Sequence, residues 1–132
     1  ARAWGADCIL LIMDAVPDSL QAELEGLAID LGMDVLAESH DATQLDRALR
    51  LETPLMGINN RDLRTFETHL ETTLALAGRV LPPRLVVAES GISTPEDVRR
   101  LRESNVSAYL IGGAFMAAPD PGEALGHLFE AW

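Results

Sequence analysis

Carboxylate, amide, hydroxyl and glycine residues stand directly after several short apolar runs of this sequence. They comprise Glu38, Asn59, Arg61, Glu89, Ser90, Gly91, Gly112 and Gly113. A glutamate close to a reactive proton can act as a general base, and an asparagine offers both a donor and an acceptor. Arginine presents a planar fork for carboxylate or phosphate, and glycine lets a ligand approach backbone N–H groups. These residue types could together supply acid–base chemistry and a small-anion site.

Each of these residues also has a purely structural interpretation. Glu38 can be a solvated residue at a strand end, and Asn59 can belong to a polar turn in which Arg61 pairs with Asp62. Ser90 can be a simple turn hydroxyl. Tight turns need glycine as much as a phosphate site does. Residue type and spacing alone leave both interpretations open.

Two other chemistries are disfavoured. No G-x-S-x-G run surrounds Ser90, and the histidines stand in unrelated positions, so a serine nucleophile is not predicted. We expect His40, His69 and His127 to be surface or capping residues. Asp14 follows the first apolar run, but no partner stands at a ligand-like spacing, so no metal site is predicted.

Five short apolar runs carry the polar residues and predict five buried strands. They cover residues 8–13, 35–38, 54–58, 85–88 and 108–111. Such runs are too short for helices, and 85–88 is rich in β-branched residues. Because polar residues follow successive runs, the strand ends are expected to share one rim.

Helix-starting signals separate these strands. Capping-box spacing occurs at Asp18 with Gln21, Asp41 with Gln44, and Thr68 with Glu71. Two further starts have proline at the first helical position, at Thr94-Pro95 and Asp120-Pro121. The first helix is expected to end at Gly32 and to bury a stripe of Leu20, Leu24, Leu27, Ala28 and Leu31. The last helix is expected to extend to Trp132.

Alternation of strands and helices predicts parallel strands joined by right-handed crossovers. Two architectures satisfy this, an open doubly wound sheet and part of a (β/α)8 TIM barrel. Open nucleotide-binding sheets usually carry a G-x-G-x-x-G turn after an early strand, and this sequence has none. The shared rim of polar residues favours the α/β interpretation as a partial barrel of five parallel strands.

Composition narrows the function classes. The chain has 132 residues, enough for one domain, and a formal net charge of −11, which disfavours nucleic acid as a partner. No apolar run is long enough to cross a bilayer and no secretory leader is recognisable, so a cytoplasmic location is expected. The lone Cys8 fits a reducing compartment. All ten basic residues are arginine.

Three runs together closely resemble the indole-3-glycerol-phosphate synthase family: G-I-N-N-R-D-L at 57–63, A-E-S-G-I at 88–92 and L-I-G-G-A-F-M at 110–116. The first run is specific, whereas S-G-I alone occurs in many phosphate-binding barrels. The resemblance implies a (β/α)8 barrel that closes an anilino-deoxyribulose phosphate into an indole ring, with loss of carbon dioxide and water. It further implies that neither metal nor organic cofactor is used.

The resemblance also implies roles for individual residues. Glu38, Asn59, Glu89 and Ser90 would be catalytic or face the substrate, and Arg61 would contact it. Gly91, Gly112 and Gly113 would present backbone N–H groups to the phosphate. Gly113 departs from the family, which more often has serine or glutamate there. Leu11 and Met13 could line the indole side, whereas His40 and Ala88 occupy variable positions and receive no role.

The resemblance covers only the fourth to eighth strands of such a barrel, which needs roughly 250 residues when whole. The family's essential lysines lie on the first and third strands, and this chain has no lysine. We therefore expect residues 1–132 to be the carboxyl-terminal portion of the enzyme and inactive alone. Exposed strand edges predict self-association or pairing with the missing amino-terminal half. A non-catalytic phosphate-binding half-barrel and a related barrel such as phosphoribosylanthranilate isomerase remain alternatives.

Overall fold

A five-stranded parallel sheet forms the centre of the computed structural model, which describes residues 1–130. The strands are β1 (Cys8–Ile12), β2 (Asp34–Ser39), β3 (Leu55–Asn59), β4 (Leu85–Glu89) and β5 (Ala108–Leu110). Every neighbouring pair is parallel, and the strands lie side by side in chain order. The predicted strands are confirmed, with small shifts at their ends.

The helices follow the strands in alternation. They are α1 (Asp18–Asp30), α2 (Ala42–Ala48), α3 (Glu71–Leu76), α4 (Pro95–Glu103), α5 (Gly113–Met116) and α6 (Pro121–Phe129). Short 3-10 turns occur at Arg2–Trp4 and Ala77–Arg79. The last helix was expected to extend to Trp132, but Ala131 and Trp132 lie outside the described residues. Within residues 1–130 no helix is long and apolar enough to span a membrane.

Three of the predicted helix starts are confirmed. Thr94 accepts from the backbone N–H of Asp97, whose carboxylate bonds back to the Thr94 N–H and completes a capping box. The carboxylate of Asp41 accepts from the N–H of Gln44 at 2.8 Å, and Asp120 caps α6 in the same way.

The other two capping predictions are wrong. The N-cap of α1 is Pro17, because the Gln21 amide turns inward and donates to the carbonyls of Met13 and Val16. The N-cap of α3 is Leu70. Thr68 instead lies in the preceding loop, where it forms an isolated β-bridge.

The face of α1 that packs on the sheet also differs from the predicted stripe. The buried residues of α1 are Gln21, Glu25 and Ala28, whereas Leu27 is 55% exposed and Leu20 and Leu31 are also exposed. Positions 21, 25 and 28 lie on one helical face. Glu25 is tolerated there because its carboxylate accepts from the N–H groups of Glu52 and Thr53. Polar anchoring therefore rotates α1 away from its leucine stripe.

One face of the sheet carries the core. Leu11, Ala37, Met56 and Val86 are register partners across four strands, and all are buried. Helical residues such as Leu45 and Leu101 complete the same cluster. Because the strand order never reverses, the arrangement is not doubly wound and matches part of a TIM barrel.

The opposite face of the sheet, hereafter the open face, is only partly covered. Leu10, Leu36, Leu55 and Leu85 form a register row across it, and Leu10 and Leu85 are 45% and 40% exposed. The outer edges of β1 and β5 have no neighbouring strand within residues 1–130. The open face thus presents a row of leucines between two unpaired strand edges.

Candidate active site

The open face ends in a polar cluster at the carboxyl ends of three adjacent strands. Glu38 lies on β2, Asn59 ends β3 and Glu89 ends β4. Glu38 is the register partner of Gly57, and Asn59 is the register partner of Glu89. Since partners across a sheet project to the same side, these three side chains share one face. The structure therefore brings together three of the predicted site residues.

Glu38 is held in place at the centre of this cluster. Its side chain is buried, and its Oε1 accepts from the Nδ2 of Asn59 at 3.2 Å. The backbone oxygen of Glu38 accepts from the N–H of Met13, which ties β1 to β2 at the same level. A carboxylate with one fixed amide donor retains lone pairs for a proton or a substrate.

Glu89 lies against Glu38 and lacks a comparable donor. It is 4% exposed, and its Oε1 is buried without a hydrogen-bond partner among residues 1–130. Burial, and then the neighbouring charge of Glu38, raise the pKa of Glu89 to about 8. Removing a carboxylate from water and placing it beside another both disfavour its charged form. The charged form of Glu89 is therefore disfavoured.

His40 is a member of the cluster that the sequence interpretation missed. Its Nε2 lies 3.0 Å from Oε1 of Glu38 but is not aligned for a hydrogen bond. Its Nδ1 lies 3.1 Å from Oε1 of Gln44, which also accepts from the His40 N–H. His40 is not a surface residue, since its side chain is only 11% exposed. A usable signal was its spacing, because positions i and i+2 of an extended segment project to one side.

Ser90 and Gly91 follow β4 in a left-handed turn. Their φ angles are 62° and 70°, a region that favours glycine over other residues. At Gly91 a Cβ would stand 2.5 Å from Cγ2 of Thr68, so the loop packs too closely for a larger residue. The turn is therefore shaped by both its backbone angles and its neighbour.

Asn60 fastens this turn to the neighbouring strand and helix. Its Nδ2 donates to the carbonyl of Ser90 at 2.9 Å, and its Oδ1 accepts from both the N–H and the hydroxyl of Thr73. Asn60 is 2% exposed. Because every one of these bonds is buried or part-buried, the Ser90 turn has a fixed position relative to β3.

The loop after β3 carries Arg61 at the edge of a cleft. The predicted alternative, a pair between Arg61 and Asp62, is not what orders this loop. The Asp62 carboxylate instead accepts from the N–H groups of Arg64 and Thr65, and these bonds lower its pKa. The exposed Arg61 lines a cleft of about 260 Å³ together with Asp14, His40, Asn59 and others.

The glycines after β5 are not packed against the glutamate cluster. Gly112 precedes the short helix α5 and Gly113 begins it, and both are exposed. Neither has a neighbour that a Cβ would touch. Their strand nevertheless lies beside β4, so they belong to the same rim of strand ends.

One expectation about this region changes. Leu11 and Met13 do not line the site, since both are buried in the core on the helix-covered face. Leu10 and Ile12, at alternate positions of the same strand, lie on the open face instead. Within residues 1–130 no group of three or more histidine, cysteine, aspartate or glutamate residues could hold a metal ion.

Comparison with known families identifies one match over nearly the whole chain. Residues 1–128 match the family model described as indole-3-glycerol phosphate synthase. Curated relatives with that name from Polaromonas sp. and Acidovorax sp. are each 59% identical over 129 residues, and one from Laribacter hongkongensis is 56% identical over 130. Each match covers 98% of this chain but 48–49% of the relative. The chain therefore spans about half the length of these relatives.

Solved structures with low sequence identity share the fold. A thiamine phosphate pyrophosphorylase from Pyrococcus furiosus superimposes with a TM-score of 0.74 at 20% identity, over 98% of this chain and 61% of that one. The Amycolatopsis orientalis BexX/CysO complex gives a TM-score of 0.62 at 18% identity, covering 98% and 59%.

Proposed function

Because the chain belongs to the indole-3-glycerol phosphate synthase family, we propose that it forms the carboxyl-terminal half of such a synthase and supplies part of its active site. The reaction would be the ring closure, decarboxylation and dehydration of 1-(2-carboxyphenylamino)-1-deoxyribulose 5-phosphate in tryptophan biosynthesis, in the cytoplasm. The observation that carries this proposal is the buried cluster of Glu38, Asn59 and Glu89 at the strand ends.

Glu38 would be the general base. Its carboxylate is buried, and the Asn59 amide holds its orientation at 3.2 Å. A fixed orientation places the carboxylate for proton transfer. Asn59 could shift its amide between Glu38 and a substrate oxygen, because its Nδ2 has two hydrogens.

Glu89 would enter the reaction with its proton on. A pKa of about 8 keeps this carboxyl neutral over most of the physiological range, so it can donate a hydrogen bond or a proton to a substrate oxygen. Ser90 adds a hydroxyl on the next residue, held by the Asn60 bond to its carbonyl. Glu38 on β2 and a protonated Glu89 on β4 would together provide a base and an acid on either side of β3.

The substrate phosphate would bind at the turns after β4 and β5. Gly91, Gly112 and Gly113 carry no side chain to keep an anion away from their backbone N–H groups. Arg61 stands across the rim with an exposed guanidinium. In a chain of net charge −11, such a local site is what allows phosphate to bind at all.

The other half of the barrel would complete the site. The open face presents the leucine row and two unpaired edges, which need a cover of similar apolar character. The relatives are about twice as long, which supports a partner of about the size of this chain. The residues 1–132 would then be inactive alone, since a carboxylate rim without a cationic acid cannot assist every step. The alternative is that a second copy of this chain covers the open face by self-association.

A chimera tests the proposal directly. The amino-terminal half of the Polaromonas sp. relative, joined ahead of this chain, should form indole-3-glycerol phosphate at a rate close to that of the intact relative. The separate 132-residue chain should show none. A folded chimera without activity would contradict the enzyme interpretation and favour a non-catalytic phosphate-binding half-barrel. Turnover by the chain alone would contradict the division of the active site.

A further inference from the structure

Gly57 separates the two buried glutamates of the cluster. It lies in the middle of β3, paired with Glu38 on β2 and with Val87 on β4. A Cβ built at this position would overlap Oε1 of Glu89 and would stand 3.3 Å from the Cα of Glu38. The space above Gly57 is therefore filled by the Glu89 carboxyl group, which reaches across from the neighbouring strand.

We propose that Gly57 is a positioning residue for the reaction, because its missing side chain leaves the space that the Glu89 carboxyl occupies beside Glu38. This proposal rests on the function proposed above for the two glutamates. A Cβ at Gly91 would meet Thr68 instead, and a Cβ at Gly26 or Gly78 would meet nothing, so Gly57 is the described glycine whose added Cβ would meet Glu89. Gly57 also has no positive φ, so backbone conformation gives no separate reason for glycine here.

Filling the space would move the Glu89 carboxyl. The overlapping atom is the far end of a flexible side chain, so it can turn away from β3 toward the solvent at the strand end. Its charged form would then be better hydrated and farther from Glu38, which lowers its pKa. Among residues 1–130, Glu38 on β2 is the titratable group that acts on Glu89, with His40 beyond it. Asn59 and Leu110, its register partners on β3 and β5, are uncharged.

The test is a carboxyl-carbon NMR titration of the 132-residue chain, with the Glu89 signal assigned by its loss in Glu89→Gln. The unaltered chain should show a Glu89 midpoint of about 8. Gly57→Ala should lower this midpoint by at least one pH unit, whereas Gly26→Ala should leave it unchanged. A folded Gly57→Ala chain with an unshifted midpoint would overturn the proposal. The titration needs no turnover, so its failure is separate from failure of the chimera.

A double-mutant cycle covers the case in which Gly57→Ala folds poorly. Glu89→Ala removes the carboxyl that the new methyl group would meet. Gly57→Ala should then reduce the folding equilibrium constant at least tenfold less in the Glu89→Ala background than in the unaltered chain. Equal reductions in both backgrounds would mean that the backbone of β2 alone excludes the methyl group, and would contradict the proposal. In the chimera, Gly57→Ala should lower kcat with little change in KM.

Discussion

Glu25 and Glu89 are equally buried, at 4% exposure, yet their surroundings differ completely. The Glu25 carboxylate fastens α1 to the segment before β3, where it accepts from the N–H groups of Glu52 at 3.1 Å and Thr53 at 2.8 Å. Glu89 has a buried oxygen without a partner and a second carboxylate beside it.

The difference distinguishes a carboxylate that anchors a helix from one that we propose takes part in catalysis. Two backbone N–H groups satisfy the Glu25 carboxylate and offset the cost of burying it, so the residue contributes to stability. Glu89 has no donor that offsets its burial. Its charged form is therefore disfavoured, and the desolvation cost of burying it lowers the free energy of unfolding. Burial alone therefore does not distinguish the two carboxyl groups; their hydrogen-bond partners do.

The largest effect should come from removing the proposed base. In the chimera, Glu38→Gln should lower kcat by roughly 10²–10⁴-fold, because one positioned proton-transfer group contributes about that much. Steady-state assays of refolded protein would measure it, with circular dichroism as the folding check. Glu25→Gln serves as the matched comparison and should leave kcat per folded molecule unchanged. Similar losses of kcat in both variants would break the distinction.

The structural carboxylate should instead dominate stability. Glu25→Ala leaves the N–H groups of Glu52 and Thr53 without their acceptor, at a cost of roughly 2–4 kcal/mol in the free energy of unfolding. Urea denaturation of the 132-residue chain measures this. Glu23→Ala, an exposed glutamate on the same helix, should change the free energy by less than about 0.5 kcal/mol. A loss as small at Glu25 would argue against its anchoring role.

Glu89 should make the free energy of unfolding depend on pH. Its pKa is about 8 when folded and roughly 4.3 when unfolded, so the folded state binds the extra proton between those values. Stability therefore falls as pH rises from about 4 to 8. Glu89→Gln removes this loss and should be up to about 5 kcal/mol more stable than the unaltered chain at pH 9, with little difference near pH 4, because each unit of pKa difference is worth about 1.4 kcal/mol. Urea titrations at a series of pH values measure the difference, and a pH-independent difference would contradict the buried, uncompensated charge.

The smallest effect should come from the neutral bonds behind the Ser90 turn. Thr73→Val removes the hydroxyl that donates to Asn60 at 2.8 Å while keeping the backbone bond, and should cost about 1 kcal/mol of unfolding free energy. Thr72→Val, at the less buried neighbouring position, is the control and should be nearly neutral. Amide exchange at Gly91 should quicken in the Thr73 variant only. Unchanged exchange there would mean that Asn60 holds the turn without this hydroxyl.

The strands and the glutamate cluster were predictable because their signals are local. An apolar run that ends in a polar residue identifies both a strand and its carboxyl end. Thr94-Pro95 likewise defines a helix start within a few residues. The buried face of α1 was not predictable, because Gln21 and Glu25 are buried only where distant carbonyl and N–H groups meet them. The role proposed for Gly57 depends on a side chain from another strand, which no local pattern contains.

Strand register has one more consequence for this rim. Asn59 pairs with Glu89, and Glu38 pairs with Gly57, so both carboxyl groups reach the same side only at this alignment of three strands. Sliding β4 by a single residue would turn the Glu89 side chain to the opposite face of the sheet, into the apolar core beneath the helices. Insertions or deletions of one residue between 59 and 85 should therefore be absorbed by the loops and α3 alone. The length of that connection can vary during evolution, whereas the register of β4 cannot.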